Sequence, residues 1–192
     1  MPKVNRNGKA LTLTPQQLDS IMVELSPIAR AVFQMCRYTA ARINEALSLK
    51  WENVLQDYII IPKAITKKKV ATRSIPLNPA LEAELKIWSA EWASKFKREV
   101  QPSDHIFPGS KDFNVHMTRQ NVDYALRLAC KRLGIQGVST HSFRRSALTI
   151  ASGKGIPLRE LQEISGHQNL SNLQKYIDVS EEAKKRAVLA FG

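Results

Sequence analysis

Helix-starting signals recur along this chain, and only one pair of short segments departs from helical periodicity. Thr14 followed by Pro15, with Gln17 three residues after Thr14, is a capping pattern that starts a helix. Asn78 followed by Pro79 repeats the order of cap and proline. Apolar residues then recur at intervals of three and four, which is typical of helices that cover a core with one face. The chain is therefore predicted to be mainly α-helical.

The β-rich pair lies between the third and fourth predicted helices. Residues 58–61 and 72–77 favour two short antiparallel strands, joined by a basic loop over 66–69. Pro76 indicates that the second strand is short or lies at an edge. The segment 102–112 is predicted to be irregular. The predicted helices cover about 15–25, 28–36, 41–49, 79–96, 118–133, 141–152, 157–164, 170–177 and 181–189.

The charge balance favours a polyanionic partner. The 192 residues include 29 Lys and Arg against 17 Asp and Glu, a net charge of +12. Such a surplus is typical of nucleic-acid-binding proteins, although a generically basic protein has it too. Cys36 and Cys130 lie in apolar helical patterns, which predicts buried free thiols in a reducing compartment. Because no zinc-ligand spacing, signal peptide or 18-residue apolar stretch occurs, we expect a soluble cytoplasmic protein without a metal.

Two groupings in the first half combine residues that bind phosphate. Arg42 and Glu45 are three residues apart, so they are expected to share a helix face. Taken alone, they are more typical of a surface ion pair. The basic loop Lys67–Lys69, taken alone, is typical of a solvated hairpin tip.

Two groupings in the second half add histidines and a tyrosine. His141 and Arg144 lie three apart near a helix start, where their exposed sides could meet one ligand oxygen. The alternative is a capping histidine on a basic helix face. Gly166 ends a short helix, His167 follows it, and Tyr176 comes nine residues later. The alternative is a C-cap glycine, an exposed histidine and a core tyrosine.

Together the four groupings fit attack on a phosphodiester. This attack passes through a pentacoordinate phosphorus, whose oxygens carry extra negative charge. Two arginines can neutralise it without a metal, because guanidinium binds phosphate bidentately and stays protonated. Histidines can donate hydrogen bonds and move a proton, and a tyrosine can form a covalent phosphotyrosine. A lysine can protonate the leaving oxygen.

The order of these residues resembles the catalytic domain of the tyrosine recombinase, or phage integrase, family over about residues 14–190. Members carry an arginine with an acidic residue three later, a lysine in a β-hairpin loop, His-x-x-Arg, Gly-His and a tyrosine. The resemblance implies the family's α+β catalytic-domain fold, mainly α-helical with a small antiparallel sheet. It also implies a site-specific recombinase that cleaves and rejoins duplex DNA without metal, ATP or another cofactor.

The resemblance implies roles for the residues that contact DNA. Arg42 and Arg144 would bind the non-bridging oxygens of the scissile phosphate, and His167 would hydrogen-bond it. His141 would assist proton transfer at the tyrosine. Tyr176 would attack phosphorus, forming a 3′-phosphotyrosyl link and freeing a 5′-hydroxyl.

Glu45 and the lysine complete the implied set. Glu45 would support the site rather than react. Lys68 is the implied general acid, because it stands eight residues before Pro76, with Lys67 and Lys69 as alternatives. The chain departs from the family pattern at Ala41, where glycine is frequent, and at Arg145, where histidine is common.

Most family members also carry an N-terminal core-binding domain. Here we expect residues 1–13 to form a basic arm and 14–192 the catalytic domain, with no separate core-binding domain, either as a fragment or as a short member. The resemblance implies a homo-oligomer, a tetramer on DNA. Helix 181–189 either packs on a neighbouring protomer, with Ala183, Ala187 and Leu189 as candidate contacts, or folds back on its own domain.

Two other functions stay open. One is a DNA-binding regulator that keeps the fold without turnover. The other is a DNA-relaxing enzyme similar to type IB topoisomerases.

Overall fold

Nine α-helices and two β-strands make up the part of the chain that the computed structural model describes, residues 10–66, 71–110, 112–179 and 181–191. The helices are α1 (Pro15–Glu24), α2 (Pro27–Thr39), α3 (Ile43–Leu47), α4 (Pro79–Phe96), α5 (Arg119–Arg132), α6 (Thr140–Gly153), α7 (Leu158–Ser165), α8 (Leu170–Gln174) and α9 (Glu181–Leu189). The strands are β1 (Tyr58–Ile61) and β2 (Arg73–Pro76). Two short 3₁₀ helices lie at Trp51–Asn53 and Lys63–Ile65. No helix in the described ranges is long and apolar enough to cross a bilayer. The predicted mainly helical fold with one small sheet is confirmed.

Local capping fixes where α1 and α4 begin. The Gln17 amide donates to Thr14 Oγ1 at 3.2 Å, and the Thr14 amide donates to Gln17 Oε1 at 3.0 Å. These are the two reciprocal bonds of a capping box. At α4 the Ala80 amide donates to Asn78 Oδ1 at 2.9 Å. Both predicted starts are confirmed.

Helix α2 lies at the centre of the main core and packs against α1, α3, α4, α5 and α6. Its Phe33 ring stacks on Phe143 of α6 with ring centroids 4.3 Å apart. Cys36 and Cys130 are buried and free, as predicted. Burial raises the pKa of the Cys36 thiol to about 12 and that of Cys130 to about 11, so both thiols stay protonated at neutral pH.

The two strands place an arginine on the inward face of the sheet. They pair antiparallel, with Ile59 opposite Ile75 and Ile61 opposite Arg73. Since side chains alternate along a strand, Arg73 and Ile75 point the same way, and both are buried. The sheet thus delivers one guanidinium group towards α3 and α7.

A second, smaller core lies among α6, α7 and α8. It consists of Ala40, Leu148, Leu161 and Leu173, and Tyr176 packs against it half-buried. This small core joins the end of α2 to α6, α7 and α8. It brings Tyr176 close to the residues that follow α2.

Two predicted helices are shorter than expected. The helix predicted over 41–49 is only α3, because Ala40 turns with φ of 50° and Leu49 leaves the helix to accept a hydrogen bond from the Ile106 amide. The helix predicted over 170–177 is only α8. Beyond it, the Tyr176 amide reaches back three residues to Leu173, and side chains of α6 bind the backbone of 175–178.

Candidate active site

A cleft of about 640 Å³ opens where β2, the start of α3 and the α7–α8 connection meet. Two of the predicted groupings contribute side chains to its lining, Arg42 with Glu45 and His167 with Tyr176. Thr66 and Ala71, which flank the predicted lysine loop, line it too. Lys67, Lys68 and Lys69 themselves lie outside the described residues. The predicted site residues that line the cleft are Arg42, Glu45, His167 and Tyr176.

One buried carboxylate holds two arginines at the cleft. Glu45 is 1% exposed and accepts from the Arg42 amide at 2.9 Å and from Arg42 Nη1 at 2.8 Å. It also accepts from Arg73 Nη2 at 2.5 Å. The predicted contact between Arg42 and Glu45 is present, but Arg42 precedes α3 as its N-cap and does not share a helix face with Glu45. The extended backbone at Arg42 turns its amide towards the carboxylate.

Glu45 and Arg73 each favour the charged form of the other. Burial alone would raise the pKa of Glu45, but the Arg73 charge and the bonds from Arg42 outweigh it, so the pKa lies below its usual value. Burial lowers the pKa of Arg73, and the Glu45 charge opposes that shift. Glu45 is therefore ionised at neutral pH, and this one carboxylate faces two guanidinium groups.

Arg144 lies beneath the cleft, not on its surface. Its side chain is 1% exposed, which corrects the expectation that Arg144 and His141 present exposed sides. Its Nη1 donates to the Ala40 carbonyl and its Nη2 donates to the Ser165 carbonyl at 2.9 Å. Its buried Nε has no hydrogen-bond partner in the described part of the chain. An unsatisfied buried donor is costly to the folded state.

Burial, together with the neighbouring Arg42 charge and against the opposing charge of Glu45, lowers the pKa of Arg144 to about 9. At neutral pH the group therefore remains a cation. Its Cζ lies 5.6 Å from the centre of the Tyr176 ring, which places a positive charge over the face of the phenol. A buried cation of this kind favours the binding of an anionic ligand.

His167 is buried, which excludes the alternative of an exposed histidine after the glycine turn. Its Nδ1 lies 2.7 Å from Ser165 Oγ, and Arg144 Nη2 lies 3.2 Å from its Nε2. Burial, followed by the charges of Arg144 and Arg42, lowers the pKa of His167 to about 3. The imidazole is thus neutral at physiological pH. Its ring centre lies 4.9 Å from that of Tyr176.

Gly166 is required by the arginine packed against it. Its φ of +67° lies in the left-handed region that favours glycine, and it ends α7. A Cβ atom at this position would lie 2.8 Å from Arg73 Cδ and 2.9 Å from Arg73 Nε. Arg73 Nη1 in turn donates to the Ile164 carbonyl at 2.8 Å. Gly166 is thus required both as the predicted C-cap of α7 and by the close packing of Arg73 against it.

His141 and Arg73 differ most from the sequence-based picture. His141 lies in the first turn of α6, half-buried and one turn before Arg144, and it is not among the described residues that line the cleft. Arg73 is a member of the cluster that motif order alone does not identify. The signal for it was an arginine at the inward position of an alternating strand. In the described ranges, no group of three or more His, Cys, Asp or Glu side chains could hold a metal ion.

Known proteins with similar sequences and structures agree on one family. The sequence model of the phage integrase family matches residues 12–183. Tyrosine recombinase XerD of Lacticaseibacillus casei is 26% identical, over 95% of this chain and 64% of its own length. The chain thus spans less than two thirds of this relative.

Two solved structures share the fold. The crystal structure of XerA recombinase superposes with a TM-score of 0.78 at 18% identity, covering 96% of this chain and 66% of that one. The XerH site-specific recombinase, solved bound to a palindromic difH substrate as a post-cleavage complex, gives 0.74 at 22% identity, covering 96% and 54%. Since the family match covers most of the sequence, this chain belongs to the phage integrase family of tyrosine recombinases.

Proposed function

We propose that this chain is a site-specific recombinase that cleaves and rejoins duplex DNA through a covalent 3′-phosphotyrosyl intermediate at Tyr176. The single observation that carries this proposal is the position of the Tyr176 phenol. It lies at the edge of a cationic cleft, against His167 and under the guanidinium of Arg144. Residues 14–192 are assigned as the catalytic domain within the same proposal.

The charge of the cleft supports a phosphate ligand. Arg42 and Arg73 both pair with the buried carboxylate of Glu45, and Arg144 adds a third cation near it, so the cluster keeps a positive surplus. Arg42 is partly exposed to the cleft, and Arg144 has an unpartnered Nε. We assign both to the non-bridging oxygens of the scissile phosphate. Guanidinium groups held in place before the reaction stabilise developing charge without reorganisation.

The proposed step exchanges one phosphorus–oxygen bond for another. The Tyr176 oxygen attacks phosphorus and forms the 3′-phosphotyrosyl bond, while the bond to the 5′ oxygen breaks. Lys68 is assigned to protonate that leaving oxygen, and His141 to assist proton transfer from the phenol. His167, neutral because of its lowered pKa, is assigned to hydrogen-bond the phosphate.

Rejoining is the reverse exchange. A 5′-hydroxyl attacks the phosphotyrosine, and the phenol leaves. The number of phosphate ester bonds stays constant, so the step needs no ATP. The arginines supply the charge that a metal would otherwise supply, and we propose that the reaction is metal-independent on that ground.

Duplex DNA is the proposed partner. The net charge of +12 supports it, as does the difH substrate in the XerH structure. We also propose a homo-oligomer on DNA, a tetramer, held through α9. This helix has no buried residues, and Val188, Leu189 and Phe191 are 64%, 78% and 85% exposed. Arg186 also donates to the Gly153 carbonyl, so part of α9 contacts its own domain.

The test is covalent capture of DNA. The protein is incubated with a pool of duplexes that carry a fixed nick and randomised flanks, so that a short cleaved fragment diffuses away and prevents rejoining. Wild type should retain DNA through denaturing wash, and Tyr176→Phe should not. Tyr58→Phe, which alters an exposed tyrosine on β1, is the matched control and should retain DNA like wild type.

Retention no greater than that of Tyr176→Phe would overturn the proposal. DNA binding without adduct would then favour a regulator. Adduct formation with supercoil relaxation, but no exchange between two captured sites, would favour a relaxing enzyme instead.

A further inference from the structure

Arg145 follows Arg144 on α6 and is not among the described residues that line the cleft. Its side chain is 7% exposed. It bonds to residues on both sides of Tyr176 and to Thr12 near the start of the described chain. We infer that Arg145, Asp178, Thr149 and Thr12, here called the latch, position the backbone of the tyrosine segment and couple it to the N-terminal segment. This inference rests on the proposed function of Tyr176 as the nucleophile.

The arginine binds the segment at two points. Nη1 donates to the Lys175 carbonyl at 2.9 Å, immediately before Tyr176. Nη2 donates to Asp178 Oδ1 at 2.5 Å, two residues after it. Arg145 is thus bonded to the chain on either side of Tyr176.

Thr149 adds a second attachment one turn further along α6. Its hydroxyl donates to the Tyr176 carbonyl at 3.1 Å and accepts from the Asp178 amide at 3.3 Å. Arg145 and Thr149 are four residues apart and therefore share a helix face. The same helix carries Arg144 to the cleft, so α6 positions both the proposed phosphate ligand and the proposed nucleophile.

The N-terminal segment closes the latch. Thr12 Oγ1 accepts from Arg145 Nε at 2.9 Å and donates to Asp178 Oδ2. Segment 10–13 is itself fixed, because the Leu13 amide donates to Ser146 Oγ at 2.7 Å and the Leu13 side chain is buried. Removing the Thr12 hydroxyl would therefore break two hydrogen bonds, one to Arg145 and one to Asp178 of the tyrosine segment.

The tyrosine segment depends on these bonds because regular structure ends before it. Helix α8 stops at Gln174, and residues 175–179 form neither helix nor strand. Asp178 lies in this segment with its side chain half-exposed. A nucleophile must be held in line at about 3–3.5 Å, and a misplacement of about 1 Å can cost roughly a hundredfold in rate. Weakening the latch should therefore slow attack without weakening DNA binding.

Thr12→Val and Asp178→Asn test the latch without opening the core. Thr14→Val is the matched control, since it removes the N-cap hydroxyl of α1 two residues away and lowers stability without touching the latch. Amide hydrogen exchange over 174–179, measured on the full chain without DNA, should be about tenfold faster in both latch variants and unchanged in the control. Single-turnover cleavage of captured DNA should slow by roughly tenfold to a hundredfold with Kd within about twofold of wild type.

Exchange over 174–179 that is as slow in the latch variants as in wild type overturns the inference. Cleavage at the wild-type rate in both variants overturns it too. The exchange measurement needs no DNA. A wild-type protein that forms no adduct therefore refutes the proposed function, while the exchange data still decide whether the latch holds the segment.

Discussion

Replacing Gly166 by alanine adds one methyl group beside a buried arginine. Two costs follow. A residue with a Cβ in the left-handed region pays about 1–2 kcal/mol. The new atom also stands 2.8 Å from Arg73 Cδ, closer than a real Cβ contact, so Arg73 must move. Moving it breaks the bonds that its guanidinium donates to Glu45 and to the Ile164 carbonyl.

Gly134 separates the two costs. It has the same φ of +67° at the end of α5, but a Cβ there would meet nothing within 4 Å. Gly134→Ala should therefore lose about 1–2 kcal/mol of unfolding free energy. Gly166→Ala should lose a further 1.5–3 kcal/mol or so, the scale of a hydrogen bond to a charged group. At about 2–4 °C per kcal/mol for a chain of this size, the Tm difference between the variants should be roughly 3–12 °C.

Thermal unfolding of both variants and single-turnover cleavage of captured DNA are the assays. Gly166→Ala should cleave on the order of tenfold to a hundredfold more slowly, because a displaced Arg73 releases Glu45 and with it the orientation of Arg42. Gly134→Ala should cleave like wild type. Equal Tm values, or normal cleavage by Gly166→Ala, would refute the view that Arg73 packed on glycine organises the site.

Three further predictions concern charge. Glu45→Gln should cost about 3–5 kcal/mol in urea unfolding, because it breaks a buried ion pair; a loss below about 1 kcal/mol would contradict the cluster. The pKa of His167 is lowered from 6.5 to about 3 in the folded chain. As pH falls from 6.5 towards 3, His167 is therefore protonated in the unfolded chain but not in the folded chain, which favours unfolding. Between neutral pH and pH 5, the unfolding free energy of wild type should fall by about 2 kcal/mol because of His167, and that of His167→Gln should not. An equal pH dependence of unfolding in both proteins would argue against a neutral buried imidazole. Lys68→Ala should abolish cleavage of ordinary DNA but cleave DNA with a 5′-bridging sulfur, whose departure needs no proton, whereas Lys67→Ala and Lys69→Ala should cleave both; rescue of another variant would reassign the general acid.

Local signals predicted the helix starts because capping is decided within four residues. Thr14 with Gln17, and Asn78 before Pro79, place α1 and α4 without reference to the rest of the fold. The same local logic overextended α8. Its end at Gln174 depends on side chains of α6 that bind the backbone beyond it.

Four of the predicted site residues lie together at the cleft, but the sequence did not predict how they are connected. Arg42, Glu45, His167 and Tyr176 meet there, as the order of motifs suggested. The role of Arg73 could not be derived from spacing, because its contact with Glu45 is set by the register of a two-stranded sheet. Residue-type patterns likewise give no sign of bonds between positions as distant as 12 and 178. The catalytic roles, including that of Lys68, stay predictions.

Identification of the amino acid that carries the DNA tests the central claim most directly. Adduct trapped on the nicked pool is digested with nuclease and trypsin, and the modified peptide is sequenced by mass spectrometry. Cleavage after Lys175 and Lys184 releases a peptide of residues 176–184 with Tyr176 at its start. We predict a nucleotide joined through its 3′-phosphate to Tyr176, with a free 5′-hydroxyl on the other DNA product. A nucleotide on any other residue, or a link through a 5′-phosphate, would contradict it.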